Sequence, residues 1–254
     1  MALGAATVAL TLTLTGCTRV ETTTPSAVRD AAGSHGTGHF GSVDCRKAKC
    51  IALTFDAGPS ANTARLLDVL KEKQVHATFF LLGGKKHIEG HPDMVKRMAA
   101  EGHEVASHTW DHKILTDLDA DGIREELSRP NDAIERLTGH RPTLMRPPQG
   151  RTDDTVQGIA REMGISEVLW SVTAKDYATS DSALITKRVL DQAGRDGIIL
   201  LHDLVPTGDS PGYRGTLPAV PGIIDKLRSR GFTFVTVPQL LAPGTPAPGA
   251  VYRP

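Results

Sequence analysis

Short apolar runs alternate with amphipathic stretches throughout residues 50–240, and this alternation constrains the fold more than any other feature of the sequence. The stretches between the runs carry apolar residues at helical spacing, such as Leu66, Leu67 and Leu70, and most of them end at a glycine. Strands that alternate with helices predict a parallel sheet, and this many units favour closure into a barrel. We therefore expect a single α/β domain built as a (β/α) barrel of about seven parallel strands. The strand-like runs are 51–55, 76–82, 103–107, 143–146, 166–171, 197–201 and 232–237.

The composition limits the classes of partner. The chain carries 29 Lys and Arg against 29 Asp and Glu, so no excess of positive charge predicts a nucleic acid or an anionic membrane surface as a partner. Aromatic residues make up 4% of the chain, which disfavours a broad stacking platform for sugars but leaves room for a small cleft. No GxGxxG motif follows the first strand, which weakens a dinucleotide-binding alternative. We expect a monomer.

The two ends of the chain are interpreted as lying outside the domain. Residues 1–17 form an apolar stretch that is too short to span a bilayer and is typical of a signal segment. Its last residues, LTGC, resemble a bacterial lipobox, which implies a lipoprotein whose only contact with the membrane is a lipid on Cys17. The alternative is an apolar tail with an incidental Cys, and no Lys or Arg precedes the stretch. Residues 18–44 are predicted to be a flexible linker, and residues 242–254 a disordered tail.

Cys45 and Cys50 precede the first strand. In an exported protein such a pair predicts a disulfide more often than a thiol site. Zinc is the weaker alternative, because no two further Cys or His residues follow at ligand spacing. A small loop closed in this way would add about 2 kcal/mol of stability and would fix the start of the first strand.

Polar side chains lie at the predicted carboxyl ends of several strands, where the catalytic groups of (β/α) barrels collect. Asp56 follows the first strand, His108 follows the third, and Arg146 ends the fourth. Asp176 lies just past the fifth strand, and His202 follows the sixth. The sequence therefore predicts a candidate active site on one face of the barrel.

His108 and His112 are four residues apart, so both rings can face one divalent metal, although such a pair can also be two surface or capping histidines. Asp56 can be a turn residue, but a neighbouring Arg146 would pair with it and hold it ionised.

His202 can be a satisfied core group, but a carboxylate on one ring nitrogen would raise the basicity of the other and keep the ring protonated as a general acid. Asp176 is the candidate for that carboxylate, although it can also be a loop-capping residue. Together, the candidates supply the base, the acid and the metal ligands that a hydrolase uses.

Five motifs in this order, TFDAGP, HTWDH, RPPQG, SVTAKDY and IILLHD, resemble those of the polysaccharide deacetylase family, also called the NodB-homology domain or carbohydrate esterase family 4. The resemblance covers about residues 48–240, and we place the domain at residues 45–241. It implies a distorted (β/α) barrel that removes N-acetyl or O-acetyl groups from polymers such as peptidoglycan, chitin or xylan.

The resemblance also implies a role for each candidate. Asp56 would be the catalytic base with Arg146 as its partner, and His202 would be the catalytic acid with Asp176 tuning it. The metal ligands would be His108 and His112, holding zinc or cobalt.

Three further residues would contact the substrate. Leu200 would line the pocket for the acetyl methyl group, and a backbone N–H in the PPQG turn, that of Gln149, would help to stabilise the oxyanion. Gln149 and Tyr177 stand where other side chains are usual, so substrate preference is open at both positions.

One position departs from the family in a way that bears on chemistry. The usual first motif has a second carboxylate that binds the metal, and Ala57 stands there instead. The site would then hold metal through two imidazoles plus water, or a nearby carboxylate such as Asp111 or Asp203 would be recruited. Loss of the anionic ligand predicts weaker zinc binding.

The expected function is a metal-dependent, extracytoplasmic deacetylase acting on N-acetylglucosamine-containing polysaccharide such as peptidoglycan or a chitin-like polymer. An esterase for O-acetyl groups on xylan is an alternative, because esters and amides share a tetrahedral intermediate. A glycan-binding pseudoenzyme is a second alternative, because of Ala57.

Overall fold

The computed structural model describes residues 20–33, 43–203 and 213–254, so the predicted signal segment with Cys17 lies outside the described residues. Parallel strands alternate with helices along most of the chain, as the sequence predicted. The elements in chain order are α1 Pro25–Ala32, β1 Lys49–Gly58, α2 Thr63–Glu72, β2 Thr78–Leu81, α3 Pro92–Ala100, β3 Glu104–Ser107, α4 Ala120–Thr138, β4 Leu144–Met145, α5 Asp154–Glu162, β5 Ser166–Val168, β6 Val172–Thr173, α6 Ser182–Gln192, β7 Gly197–His202, α7 Tyr213–Ser229, β8 Phe232–Val235, α8 Val237–Leu241 and β9 Val251–Tyr252.

The strands form one curled parallel sheet, a distorted (β/α) barrel in a single α/β domain. Their order is β6-β7-β1-β2-β3-β4-β5-β9, and β8 pairs with the first residues of β1. The described residues contain two strands more than the seven predicted. These are β6 and β9, which have two residues each and are too short to show a period of their own.

The pleat of β1 decides which side chains reach the inside of the barrel. Ile51, Leu53 and Phe55 pack outward against the helices, whereas Ala52 belongs to the inner apolar cluster. Because successive side chains of a strand point to opposite faces, Asp56 falls on the inner face at the carboxyl end of β1. The same alternation on β7 places His202 on the inner face, in register with Asp56.

The start of β1 is fixed by a disulfide between Cys45 and Cys50, and both residues are fully buried. The prediction of a flexible linker over residues 18–44 is wrong for residues 20–33, because α1 is docked on the domain. Arg29 is 3% exposed, and its guanidinium donates to Leu240 O at 2.6 Å and pairs with Asp196 at 2.6 Å. A buried, paired cation ties this helix to the bottom of the barrel.

The prediction of a disordered tail over residues 242–254 is also wrong. Strand β9 pairs with β5, and the backbone N–H of Thr23 donates to Val251 O at 2.8 Å. Tyr252 is 1% exposed, and its hydroxyl accepts a hydrogen bond from Ala247 N. Tertiary pairing therefore overrides the Pro- and Gly-rich composition of the tail. Among the described residues no helix combines the length and apolarity needed to cross a membrane.

Candidate active site

The predicted ion pair between Asp56 and Arg146 is present inside the barrel. Arg146 Nη1 donates to Asp56 Oδ1 at 2.6 Å, and the two residues are 0% and 2% exposed. The second oxygen, Asp56 Oδ2, lies 3.8 Å from His108 Nε2. One carboxylate oxygen is thus held by the guanidinium, and the other faces the histidines.

A set of fixed contacts orients Arg146. Its Nε donates to Val168 O at 3.0 Å, and its Nη1 also donates to Thr54 Oγ1 at 2.8 Å. The guanidinium carbon lies 4.1 Å from the ring centroid of Phe80. Burial lowers the pKa of Arg146, while the charge of Asp56 opposes that shift, so the guanidinium stays protonated. The guanidinium is therefore held rigidly against the carboxylate of Asp56.

A second dyad stands at the carboxyl end of β7. His202 Nδ1 donates to Asp176 Oδ1 at 2.8 Å, and the backbone N–H of His202 donates to Asp176 Oδ2 at 2.8 Å. Thr216 on α7 donates its hydroxyl to the same Oδ2 at 2.8 Å.

Burial alone would lower the pKa of His202, but the charge and hydrogen bond of Asp176 outweigh it, and the pKa is raised above its usual value. Burial opposes ionisation of Asp176, but the charge of His202 and three hydrogen bonds lower its pKa. Because Asp176 holds Nδ1, the proton that His202 can deliver is on Nε2.

His108 and His112 lie side by side, with ring centroids 4.9 Å apart. His108 Nδ1 donates to Arg146 O at 2.8 Å, so its lone pair is on Nε2, which faces Asp56. Burial lowers the pKa of His108 to about 4 and also lowers that of His112, so both rings are neutral near pH 7. Neutral imidazoles with free lone pairs are suitable metal ligands.

The loop that carries the two histidines is held by Glu126, a residue on α4 that the sequence analysis missed. Glu126 is 2% exposed, and its Oε2 accepts hydrogen bonds from Trp110 N at 3.0 Å and Asp111 N at 2.9 Å. Its Oε1 pairs with Lys113 at 3.1 Å. The sequence could have indicated a buried, paired role for Glu126, because it is a charged residue on the apolar face of its helix, one turn from Pro130.

The donor set fits a divalent metal through two imidazoles and falls one ligand short of the set implied by the resemblance. Ala57 is fully buried and cannot coordinate, and the described residues contain no group of three potential His, Cys, Asp or Glu ligands. Asp111 is half exposed and pairs with Lys113 at 3.7 Å. The prediction that a nearby carboxylate could be recruited therefore gains no support from Asp111.

Asp203 is engaged elsewhere too. It accepts hydrogen bonds from Ser60 Oγ at 3.2 Å and from the Thr63 hydroxyl, and it is 5% exposed. Its carboxylate lies behind Gly58, where a Cβ would come within 2.5 Å of Asp203 Oδ2. The glycine thus allows the close approach, and the hydrogen bonds fix this carboxylate away from the histidines.

Of the three predicted substrate contacts, Leu200 and Tyr177 lie near His202. Leu200 is 5% exposed on the inner face of β7, two residues before His202. Tyr177 is 44% exposed, with its ring centroid 5.7 Å from that of His202. Gln149 has φ 58° in the turn Pro148–Gly150, whose own hydrogen bonds are donated by Gly150 and Arg151. The structure therefore brings all the predicted catalytic and metal-ligand residues to one end of the barrel.

Comparison with known proteins places this site in a family. The family model described as polysaccharide deacetylase matches residues 44–168. The peptidoglycan-N-acetylmuramic acid deacetylase PdaC of Bacillus subtilis is 39% identical over 193 residues, which is 76% of this chain and 38% of the relative. This chain therefore spans less than half the length of that relative.

Other relatives match over most of their length. A chitooligosaccharide deacetylase of Rhizobium leguminosarum bv. trifolii is 39% identical over 196 residues, which covers 74% of this chain and 90% of the relative. A solved structure described as a T48 deacetylase with substrate has a TM-score of 0.76 at 39% identity and covers 83% of this chain and 100% of that one. A CE4 family pseudoenzyme from Bacillus anthracis has a TM-score of 0.69 at 26% identity, with 81% and 70% covered. The motifs, the barrel and these matches together establish that the chain belongs to the polysaccharide deacetylase family.

Proposed function

We propose that the chain is a metal-dependent deacetylase that removes N-acetyl groups from N-acetylglucosamine-containing polysaccharide, either peptidoglycan or a chitin-like polymer. One observation carries the proposal: a carboxylate paired with a guanidinium and an imidazole hydrogen-bonded to a second carboxylate, each with its own buried partner, converge on one end of the barrel. A base and an acid that face one cleft are what hydrolysis of an amide requires.

Asp56 acts as the base. Since Oδ1 accepts from Arg146, Oδ2 is the oxygen that takes a proton from the attacking water. The water oxygen bonds to the acetyl carbon. The resulting oxyanion accepts a hydrogen bond from the backbone N–H of Gln149. A divalent metal held by His108 and His112 would polarise the acetyl carbonyl.

His202 acts as the acid. Its Nε2 proton goes to the sugar nitrogen as the C–N bond breaks, so acetate and a free amine are released. The raised pKa of His202 keeps this proton available near neutral pH. The proton gained by Asp56 and the one lost by His202 balance, and exchange through water restores both groups.

The test is acetate release from N-acetylglucosamine oligomers by the wild type and by Asp56→Asn and His202→Ala. Each change is expected to lower kcat by about 10²–10⁴-fold. The exposed His140→Ala is the matched control and should leave the rate unchanged. Wild-type rates in both active-site variants would refute the assignment of base and acid.

Ala57 favours a second candidate, a glycan-binding pseudoenzyme, because it removes one metal ligand. The acetate assay separates the two, since a pseudoenzyme binds the oligomers and releases nothing. The same assay with acetylated xylan distinguishes an O-acetyl esterase, which would release acetate from the ester alone.

We also propose that the protein works outside the cytoplasm, attached to the membrane by a lipid on Cys17, and is a monomer. The lipobox-like sequence supports the anchor, and the named peptidoglycan deacetylases support the location. In cells, Cys17→Ala should move the protein from the membrane fraction to the medium or periplasm. Retention of the variant in the membrane fraction would argue against the lipid.

A further inference from the structure

The short turn that carries Asp176 is held by two side chains of α6. Asp176 follows β6, which is the edge strand of the described sheet, so the outer backbone groups of β6 have no neighbouring strand to pair with. Arg188 and Gln192 bind those groups instead. We call these two residues the α6 clamp.

The α6 clamp contacts three consecutive backbone carbonyls just before the turn. Gln192 Nε2 donates to Thr173 O at 2.9 Å, and Gln192 Oε1 accepts from Thr173 N at 3.2 Å. Arg188 Nη1 donates to Ala174 O at 3.1 Å and to Lys175 O at 3.4 Å. Because the two residues of the clamp are one helical turn apart, their side chains lie on the same side of α6.

The helix that carries the clamp is itself firmly placed. Ile185 and Val189 of α6 are fully buried in the core. Asp181 caps the start of the helix, because its carboxylate accepts from Ala183 N at 2.9 Å and from Leu184 N at 3.0 Å. The clamp therefore ties the turn to a fixed element.

The turn requires such support because its backbone is strained. Lys175 has φ 47° and ψ 44°, a left-handed conformation that is unfavourable for a residue with a Cβ. A residue keeps such a conformation only when the surrounding contacts impose it. Arg188 binds the two carbonyls that flank the Cα of Lys175, so it fixes the direction in which the chain continues to Asp176.

We propose that Arg188 is a positioning residue for the catalytic acid, because it fixes the turn that aims Asp176 at His202. The two oxygens of Asp176 accept from Nδ1 and from the backbone N–H of His202, both at 2.8 Å, so a displaced turn would disturb both bonds. Arg188 acts through Asp176 and takes no part in the chemical step. The inference rests on the proposed function and adds a residue to the same site.

The pKa of His202 reports on this geometry. Burial lowers that pKa, and the charge and hydrogen bond of Asp176 raise it, so a turn that is held less well should lower it. The other titratable groups that face His202 are Asp56, Arg146, His112 and Tyr177. Arg188 binds the backbone just before Asp176, so its effect should come through Asp176 alone.

The test follows the imidazole signals of ¹³C-labelled histidine by NMR as pH is varied, with zinc present in every sample. The signal of His202 is assigned by its absence from His202→Ala. Arg188→Ala is expected to lower the pKa of His202 by about 0.5–1 unit, and Arg188→Lys, which keeps one donor, should restore most of it. In the background of Asp176→Asn, Arg188→Ala should cause no further change.

Lys187→Ala is the matched control. It removes the adjacent cation of α6, whose partner is Asp191 at 2.5 Å, and should leave the pKa of His202 unchanged. Gln192→Ala removes the more exposed side chain of the clamp and should lower that pKa by a smaller amount. This variant keeps the test decisive if Arg188→Ala does not fold.

A lower Tm in Arg188→Ala with the pKa of His202 unchanged would show a purely structural role and would overturn the inference. So would an equal change in Lys187→Ala, or a further change in the background of Asp176→Asn. The titration needs no turnover, so these outcomes sink only the inference. Acetate release from N-acetylglucosamine oligomers by the same wild-type sample reports on the proposed function separately.

Discussion

Restoring the missing carboxylate by Ala57→Asp is expected to strengthen metal binding, to lower stability in the absence of metal and to remove that loss when metal is bound. Ala57 is fully buried, has φ 65° and occupies the extra position where the register of β1 against β2 shifts. A bulge of this kind interrupts the strict alternation of side chains and redirects one of them. Asp tolerates positive φ better than Ala does, so the backbone does not oppose the change.

The new carboxylate affects stability in two ways of opposite sign: it strengthens metal binding, and it costs free energy when no metal is bound. Outer-sphere partners of metal ligands change affinity by about 10–100-fold, so a direct ligand is expected to contribute at least about 100-fold, or about 2.7 kcal/mol. Without metal, the new carboxylate is buried one residue from Asp56 with no cation of its own, at a cost of about 1–3 kcal/mol. That cost corresponds to a decrease in Tm of about 2–12 °C.

The assay is competition for zinc against a chromophoric chelator, combined with melting curves in excess chelator and in excess zinc. Ala57→Asp should bind zinc more tightly, melt below the wild type in chelator and lose that deficit in zinc. Ala57→Asn has nearly the same shape without the charge and is the control for volume. The reasoning is refuted if Ala57→Asp binds zinc no more tightly than the wild type, or if the gain persists when His108→Ala is added.

Four further predictions concern the acid, the stability that its raised pKa contributes, the metal loop and the start of β1. The protonated form of His202 is lost as pH rises through its raised pKa, so kcat should fall on the alkaline side, and Asp176→Asn should move that fall to lower pH; an unmoved profile would contradict the dyad. By the same sign, the stability that the raised pKa of His202 contributes is fully present below pH 6.5, the usual histidine value, and is lost as pH rises through the raised pKa, which pH-dependent melting would show. Glu126→Ala should weaken cobalt binding about tenfold, as measured by the visible absorption of the cobalt form. Glu126→Gln keeps a hydrogen-bond acceptor for the loop and should retain most of the cobalt affinity. Equal affinities in the wild type and both variants would exclude a positioning role for Glu126. Replacing Cys45 and Cys50 by Ala should lower Tm by about 4–8 °C, from about 2 kcal/mol, and an unchanged Tm would show that this loop does not hold β1.

Periodicity and position were sufficient to predict the barrel and most of its candidate site. Asp56 and His202 end apolar runs, and in a parallel barrel the ends of strands meet, so proximity follows from topology alone. The ion pair of Asp56 with Arg146 followed from the same argument.

Other features depend on contacts that local sequence does not encode. The docking of α1 depends on Arg29 reaching Asp196, which lies far away along the chain. Strand β9 forms because β5 offers a free edge to a tail whose composition predicts disorder. Thr216, the third donor to Asp176, lies on a helix that starts well after β7, so no spacing argument could identify it.

The central claim is tested most directly by acetate release from N-acetylglucosamine oligomers after chelation and after adding zinc or cobalt back. The account predicts release that is lost on chelation, returns with metal, and falls by at least about 100-fold in Asp56→Asn. Binding of the oligomers without acetate release under any metal would contradict the deacetylase assignment. Loss of the metal ligand at Ala57 would then explain why the protein binds glycans without hydrolysing them.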